Sequence, residues 1–236
     1  EPETEGTEGY PVAPAAPQTA SGYPEAPVVA DTAVDAYPAT SPETATTASI
    51  RTFAIVPAES TARYVVAETF LDGAQERLGI AAGLVDTIGE TQVVDGSLSL
   101  DFSQSPIALQ SGSFTVDIST LQSDQSMRDN TLRDRWLQSG TYPIATFVAT
   151  GIENFPADYA EGTEASFQLV GDITIRDTTQ PATWDVTATL ADGKITGTAV
   201  TNLTMTAFGF DPPSFGGVFT VEDAFEAQID FTAQEQ

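Results

Sequence analysis

From Ile50 onward the sequence alternates apolar and polar residues with a period of two, the pattern of strands that bury one face and wet the other. Leu98, Leu100 and Phe102 alternate with Ser97, Ser99 and Asp101, and Phe114, Val116 and Ile118 alternate with Ser113, Thr115 and Asp117. Phe167, Leu169, Gly171, Ile173 and Ile175 continue the pattern. Trp184, Val186, Ala188 and Leu190 follow, then Ile195 through Met205, then Phe225, Ala227, Ile229 and Phe231. Turn signals at Asp95-Gly96, Ala191-Asp192-Gly193 and Pro212-Pro213 separate these runs. Many short strands with tight turns leave no room for crossover helices. The expected fold is therefore all-β: an antiparallel β-barrel of about eight or more strands, with a two-sheet sandwich as its competitor.

One stretch breaks the alternation. Between Ser123 and Gly140 the residues read as a single inserted helix over about 124–138, capped by Ser123 or Asp124 and stopped by Gly140 and Pro143. Met127, Leu132 and Trp136 could share one face of it, Leu132 and Trp136 being one helical turn apart. Arg128, Arg133 and Arg135 interleave there with Asp129 and Asp134.

Before Ile50 the texture is different. Residues 1–49 hold eight of the 15 prolines and eight acidic residues but no basic one. Without hydrophobic periodicity such a segment cannot offset its own ordering, so it is expected to be a disordered tail, either a spacer that holds residues 50–236, the barrel domain, away from a wall or membrane or a flexible N-terminus with no role.

Charge and composition narrow the function. The formal net charge is -26, and removing the tail's eight acids leaves 26 acidic against 8 basic residues, or -18. Such a surface repels nucleic-acid phosphates and anionic headgroups, which argues against nucleic acid as a partner. No histidine and no cysteine occur, which removes imidazole bases, thiolate nucleophiles and the usual zinc and iron ligands. No nucleophile elbow, Ser-x-x-Lys pair, phosphate-binding glycine loop or calcium loop is present. The expectation is a protein that is not an enzyme, with no catalytic residues, no metal site and no cofactor. No apolar run reaches the roughly 18 residues of a transmembrane segment. A secreted, periplasmic or cell-surface location is expected, with any export signal or anchor already trimmed.

Four segments carry a resemblance. MRDNTLRDRWLQSGTYPIATFVAT (127–150) and GDITIRDTTQPATWDVTAT (171–189) resemble, in order and spacing, a helical segment with an Arg-Asp step leading into a Phe-containing strand, and a Gly-Asp strand followed by a turn and Pro, in the YceI-like family. FAIVPAESTARYVVAE from Phe53 is similar to that family's opening strand pair, and FGFDPPSFGGVFTVEDAFEAQIDFTA to its last hairpin, so the resemblance covers 53–233. Where many members carry histidines this chain has Asn130-Thr131, Glu59 and Glu68, which marks an acidic, histidine-free branch. The resemblance implies an eight-stranded, antiparallel, lipocalin-like barrel whose apolar interior holds a polyisoprenoid chain in some members.

On that basis the candidate ligand-binding residues are the inward-facing Phe114, Val116, Ile173, Ile175 and Trp184, the helix residues Met127, Leu132 and Trp136, and a flap of Phe208, Phe210 and Phe215. Arg128, Arg133 and Arg135 are candidates for a phosphate headgroup. Periodicity leaves two readings open for the inward stripes, a tunnel wall or a packed core. The arginines could equally pair with neighbouring carboxylates, and the flap could simply cap the barrel. The expected function is binding, with transport or storage, of an apolar lipid such as a polyisoprenoid. The alternative is a ligand-free surface, adhesion or assembly module on the same barrel, and a homodimer fits either.

Overall fold

The computed structural model describes residues 49–236. The expected disordered tail lies, but for Ser49, outside the described residues. The described chain forms β1 (Ile50–Ile55), β2 (Thr61–Phe70), α1 (Asp72–Leu78), β3 (Gly83–Thr91), β4 (Val94–Asp101), β5 (Ala108–Asp117), α2 (Ser126–Thr131), β6 (Ile144–Glu153), β7 (Glu164–Ile175), β8 (Thr178–Ala191), β9 (Lys194–Thr204), β10 (Ser214–Phe215) and β11 (Phe219–Glu235).

Every strand pairing is antiparallel, and the order β1-β4-β5-β6-β7-β8-β9-β11 closes on itself where Phe53 to Ile55 pair with Glu235 to Ala233. The expected barrel is thus present, with eight strands in its ring and no sandwich. β2 and β3 prolong β1 and β4 as a hairpin, and β2 pairs with the first part of β11, from Phe219↔Phe70 to Asp230↔Thr61. The two ends of the barrel consequently differ. One end gathers the turns 102–107, 154–163 and 192–193 with both Ile50 and Glu235; we call it the terminal end. The other gathers α1, α2 and the connection 205–218; we call it the helical end.

The inserted helix is shorter than its sequence pattern suggests. α2 covers only Ser126–Thr131 and passes into a π-type turn, Leu132–Trp136. Its N-cap is Gln125, without a side-chain cap bond. Ser123 instead donates its amide (3.0 Å) and hydroxyl (2.7 Å) to the buried carboxylate of Asp129, and Asp124 pairs with Arg128. The common helical face does not form: Met127 is 78% exposed while Leu132 and Trp136 pack against the core.

α1 is an element that the alternation gave no hint of. It is seven residues long, too short for a periodic pattern, and its signs are local: Asp72 in the first turn, Arg77 in the last, and Gly79 closing it at φ 72°. Ala74 seats it on Phe70 and Val218, a small core separate from the main one.

Between β2 and α2 a polar cluster replaces apolar packing. Glu68 is buried and accepts from the Thr87 hydroxyl (2.9 Å) and from Arg128 (3.1 Å). The ring of Tyr64 lies over its cross-strand partner Gly89, where a Cβ would sit 2.3 Å from it. Burial pushes the Tyr64 phenol up to about 12.

Candidate functional site

The barrel interior is not uniform. Toward the helical end Ile173, Ile175, Ala182, Met205, Phe208 and Phe210 are buried in the core, with Val116, Leu132 and Trp136 packed against it, and none of them lines the cavity described next. Toward the terminal end the same strands enclose an apolar cavity. Measured to the centre of a water molecule its volume is about 110 Å3, room for roughly seven to eleven water-sized groups. A chain segment on the order of ten carbons matches that space.

The floor is an edge-to-face pair, Phe147 and Trp184, with ring centroids 5.9 Å apart and both buried. Gly171 makes the floor possible. A Cβ there would come within 2.8 Å of the Phe147 ring and 2.2 Å of the Val148 carbonyl oxygen, so only glycine lets the ring lie across β7. Walls come from alternate positions of several strands, among them Phe53, Leu98, Phe114, Phe167, Leu169 and Val186. Phe102, Phe155 and Tyr159 stand at the mouth, where the Phe155 ring lies 5.3 Å from Tyr159 and 5.2 Å from Phe167. Of the side chains lining the cavity, only Tyr159 and Trp184 carry a polar atom. The Trp184 Nε1 is buried without a hydrogen-bond partner, and burial, with Glu161 nearby, raises the Tyr159 phenol above its ordinary value.

Of the residues singled out in the sequence, Phe114 and Trp184 line this cavity. Val116, Leu132, Trp136, Ile173, Ile175, Phe208 and Phe210 lie in the packed half. Phe208 is only 1% exposed, so the segment that read as a flap has its first two rings inside the core, while Phe215 is 54% exposed beneath the Arg77 guanidinium. The three helix arginines lie at the helical end and none borders the cavity. Arg128 bonds Glu68 and Asp124; Arg133 bonds the Asn130 side chain (3.0 Å) and the Leu121 carbonyl (2.9 Å); Arg135 lies on the outer surface beside Met127.

The basic residue at the mouth is one that the pattern did not flag. Arg51 lays its guanidinium over Phe102 (4.9 Å to the centroid) and Phe53 (5.3 Å). It donates to both oxygens of Glu235 (2.7 and 2.6 Å) and to Glu161 (3.1 Å). Hydrogen bonding to Glu235 raises the Arg51 pKa, and the same bond lowers that of Glu235.

A closed barrel with an apolar pocket at one end is an architecture that comparison can place. The family model described as the YceI-like domain matches residues 53–233. The chain belongs to the YceI-like family. Among solved structures, this YceI-like chain is similar to Burkholderia cenocepacia BcnA (20% identity, TM-score 0.56, 76% of this chain and 99% of that one). It is similar also to a polyisoprenoid binding domain from Saccharophagus degradans implicated in plant cell wall breakdown (10%, 0.55, 78% and 98%). A third is the Campylobacter jejuni YCEI protein (17%, 0.52, 70% and 96%). At these identities the likeness is one of fold. No protein of curated function matches the sequence.

Proposed function

We propose that this YceI-like barrel binds an apolar, chain-shaped lipid of the isoprenoid kind, for carriage or storage, with the chain in the terminal-end cavity and its tip against the Phe147–Trp184 floor. The observation that carries the reading is an unfilled space walled by carbon inside an otherwise close-packed barrel, since protein interiors rarely leave such voids. Membership of a family with a polyisoprenoid binding domain among its structural neighbours supports the ligand class. Each buried methylene contributes about 0.8 kcal/mol before ordering costs, so affinity grows with chain length. The cavity walls hold no acid–base pair, which supports binding without catalysis. Among the described residues no helix is long and apolar enough to cross a membrane; a secreted, periplasmic or cell-surface setting belongs to this proposal.

A second reading, assembly with another copy, has an observation of its own. Among the described strands β3 pairs with β2 alone; its other edge meets Gln122 at Glu90, and beyond that bridge it exposes Leu84 (69%), Val85 and Ile88 beside backbone groups that no strand pairs. Organic extraction of the purified protein followed by mass spectrometry tests the first reading. A stoichiometric isoprenoid is expected from the wild type and from the outward variant Thr187→Gln, and none from the cavity-filling Ala199→Trp once its fold is verified. Lipid absent from all three, in a protein that takes up no added isoprenoid, would leave the assembly module as the better account.

A further inference from the structure

We propose that Arg51 and its two carboxylates make the mouth selective for an uncharged lipid headgroup that accepts a hydrogen bond, such as a prenyl alcohol or ketone, and against a prenyl phosphate. The proposal rests on the lipid-binding reading above and specifies its ligand.

Arg51 is placed to meet whatever emerges from the cavity. Its guanidinium covers Phe53 and Phe102, two of the lining rings, and its side chain is only 14% exposed. Arginine has five N–H donors in a fixed fork. Nε and one N–H of Nη2 go to Glu235, and one N–H of Nη1 goes to Glu161. One N–H on each terminal nitrogen remains, and a hydroxyl or carbonyl oxygen can take it without opening either ion pair.

A phosphate meets a different balance. One positive charge faces two carboxylates, so the set carries a net negative charge, and the bond to Arg51 holds Glu235 ionised. The same end of the barrel carries Asp101, Glu153, Asp158, Glu164 and Asp192. Its other cation, Lys194, is paired with Glu59 at 3.0 Å. A phosphate reaching the same two N–H groups would bring its charge against both carboxylates, and a bidentate grip on Arg51 would require it to displace one of them. An uncharged head meets neither obstacle. The arginine that looks like an anion receptor is therefore already occupied by the protein's own anions.

The test titrates the full chain with farnesol and with farnesyl monophosphate, which share one hydrocarbon chain, following tryptophan fluorescence, with the Trp136→Phe chain run alongside to isolate the signal of Trp184 at the cavity floor. Farnesol is expected to bind at least tenfold more tightly. Raising the salt concentration should narrow the gap by screening the phosphate's repulsion. In Glu161→Gln/Glu235→Gln the gap should close or reverse, because the freed guanidinium can take the phosphate. Should that variant not fold, the salt dependence of the wild type still decides. Phosphate binding as tightly as alcohol in the wild type, or a gap indifferent to salt, overturns the headgroup proposal and leaves the lipid-binding reading standing. Binding of neither ligand overturns the lipid-binding reading itself.

Discussion

The inward face of β7 presents Phe167 and Leu169 on one side of Gly171 and Ile173 and Ile175 on the other, and the two pairs do different things. Ile173 and Ile175 are buried in the core without reaching the cavity, whereas Phe167 and the equally buried Leu169 border it. The strand is the same and the chemistry of the four side chains is nearly so. What differs is what lies across the barrel. At the helical end the long connections return side chains into the interior: Leu132, Trp136 and Leu137 from the α2 segment, Phe208 and Phe210 from the 205–218 segment. At the terminal end the connections are shorter and send in few: Phe102, Ile107, Phe155 and Tyr159 stand around the opening. Whether a barrel interior is a core or a pocket is thus decided by its connections more than by its strands.

The sharpest way to break this contrast is to remove a large ring from each half. Phe208→Ala should lower unfolding stability by about 3–5 kcal/mol, as for large-to-small changes in a close-packed site. Phe167→Ala, whose ring already faces space, should lose less than half of that in the same denaturant titration. Equal losses would mean that the terminal-end cavity is not a true void.

The converse substitution adds volume. Ala182→Leu in the filled half should lose about 1–3 kcal/mol through overpacking, while Ala199→Leu at the cavity wall should leave the melting temperature unchanged or raise it and weaken lipid uptake. A loss at Ala199 as large as that at Ala182 would contradict the assignment of space.

The arginines sharpen the comparison on the polar side. Arg128→Met takes from the buried Glu68 one of its two hydrogen-bond partners, a loss of about 1.5 kcal/mol for a charged bond that is partly solvated. Lipid affinity should not move, because Arg128 lies at the end away from the cavity. A fall in affinity without a fall in stability would return the headgroup to the helix.

The last effect is one of pH. Tyr64 is neutral when protonated, and burial raises its folded-state pKa to about 12 from an ordinary 10.0. Its contribution is therefore complete below pH 10 and is lost as pH rises from 10 through 12. Stability measured across that window should fall in the wild type and fall less in Tyr64→Phe, with binding indifferent to the exchange.

The sequence made some of this legible and hid the rest for physical reasons. Period-two alternation is a local property of a strand, so the runs at Leu98, Phe114 and Phe167 revealed their inward faces directly. Depth along the barrel is not local. Phe114 and Val116 stand two residues apart on one stripe, yet the first lines the cavity and the second packs the core. Phe155 and Tyr159 sit in a turn with no periodicity to report them. Arg51 was silent because its meaning depends on Glu235, 184 residues away. The helix arginines were conspicuous only because they are close together in sequence, and their carboxylate partners include Glu68, 60 residues earlier.

The most direct test of the two-halves account is a crystal structure of the protein with farnesol bound. The account predicts continuous ligand density from the Phe147–Trp184 floor to the guanidinium of Arg51, with Phe208, Phe210 and Trp136 unmoved at the helical end. Density threading the helical end beneath α2, or a ligand confined to the outer surface with the cavity collapsed, would contradict it.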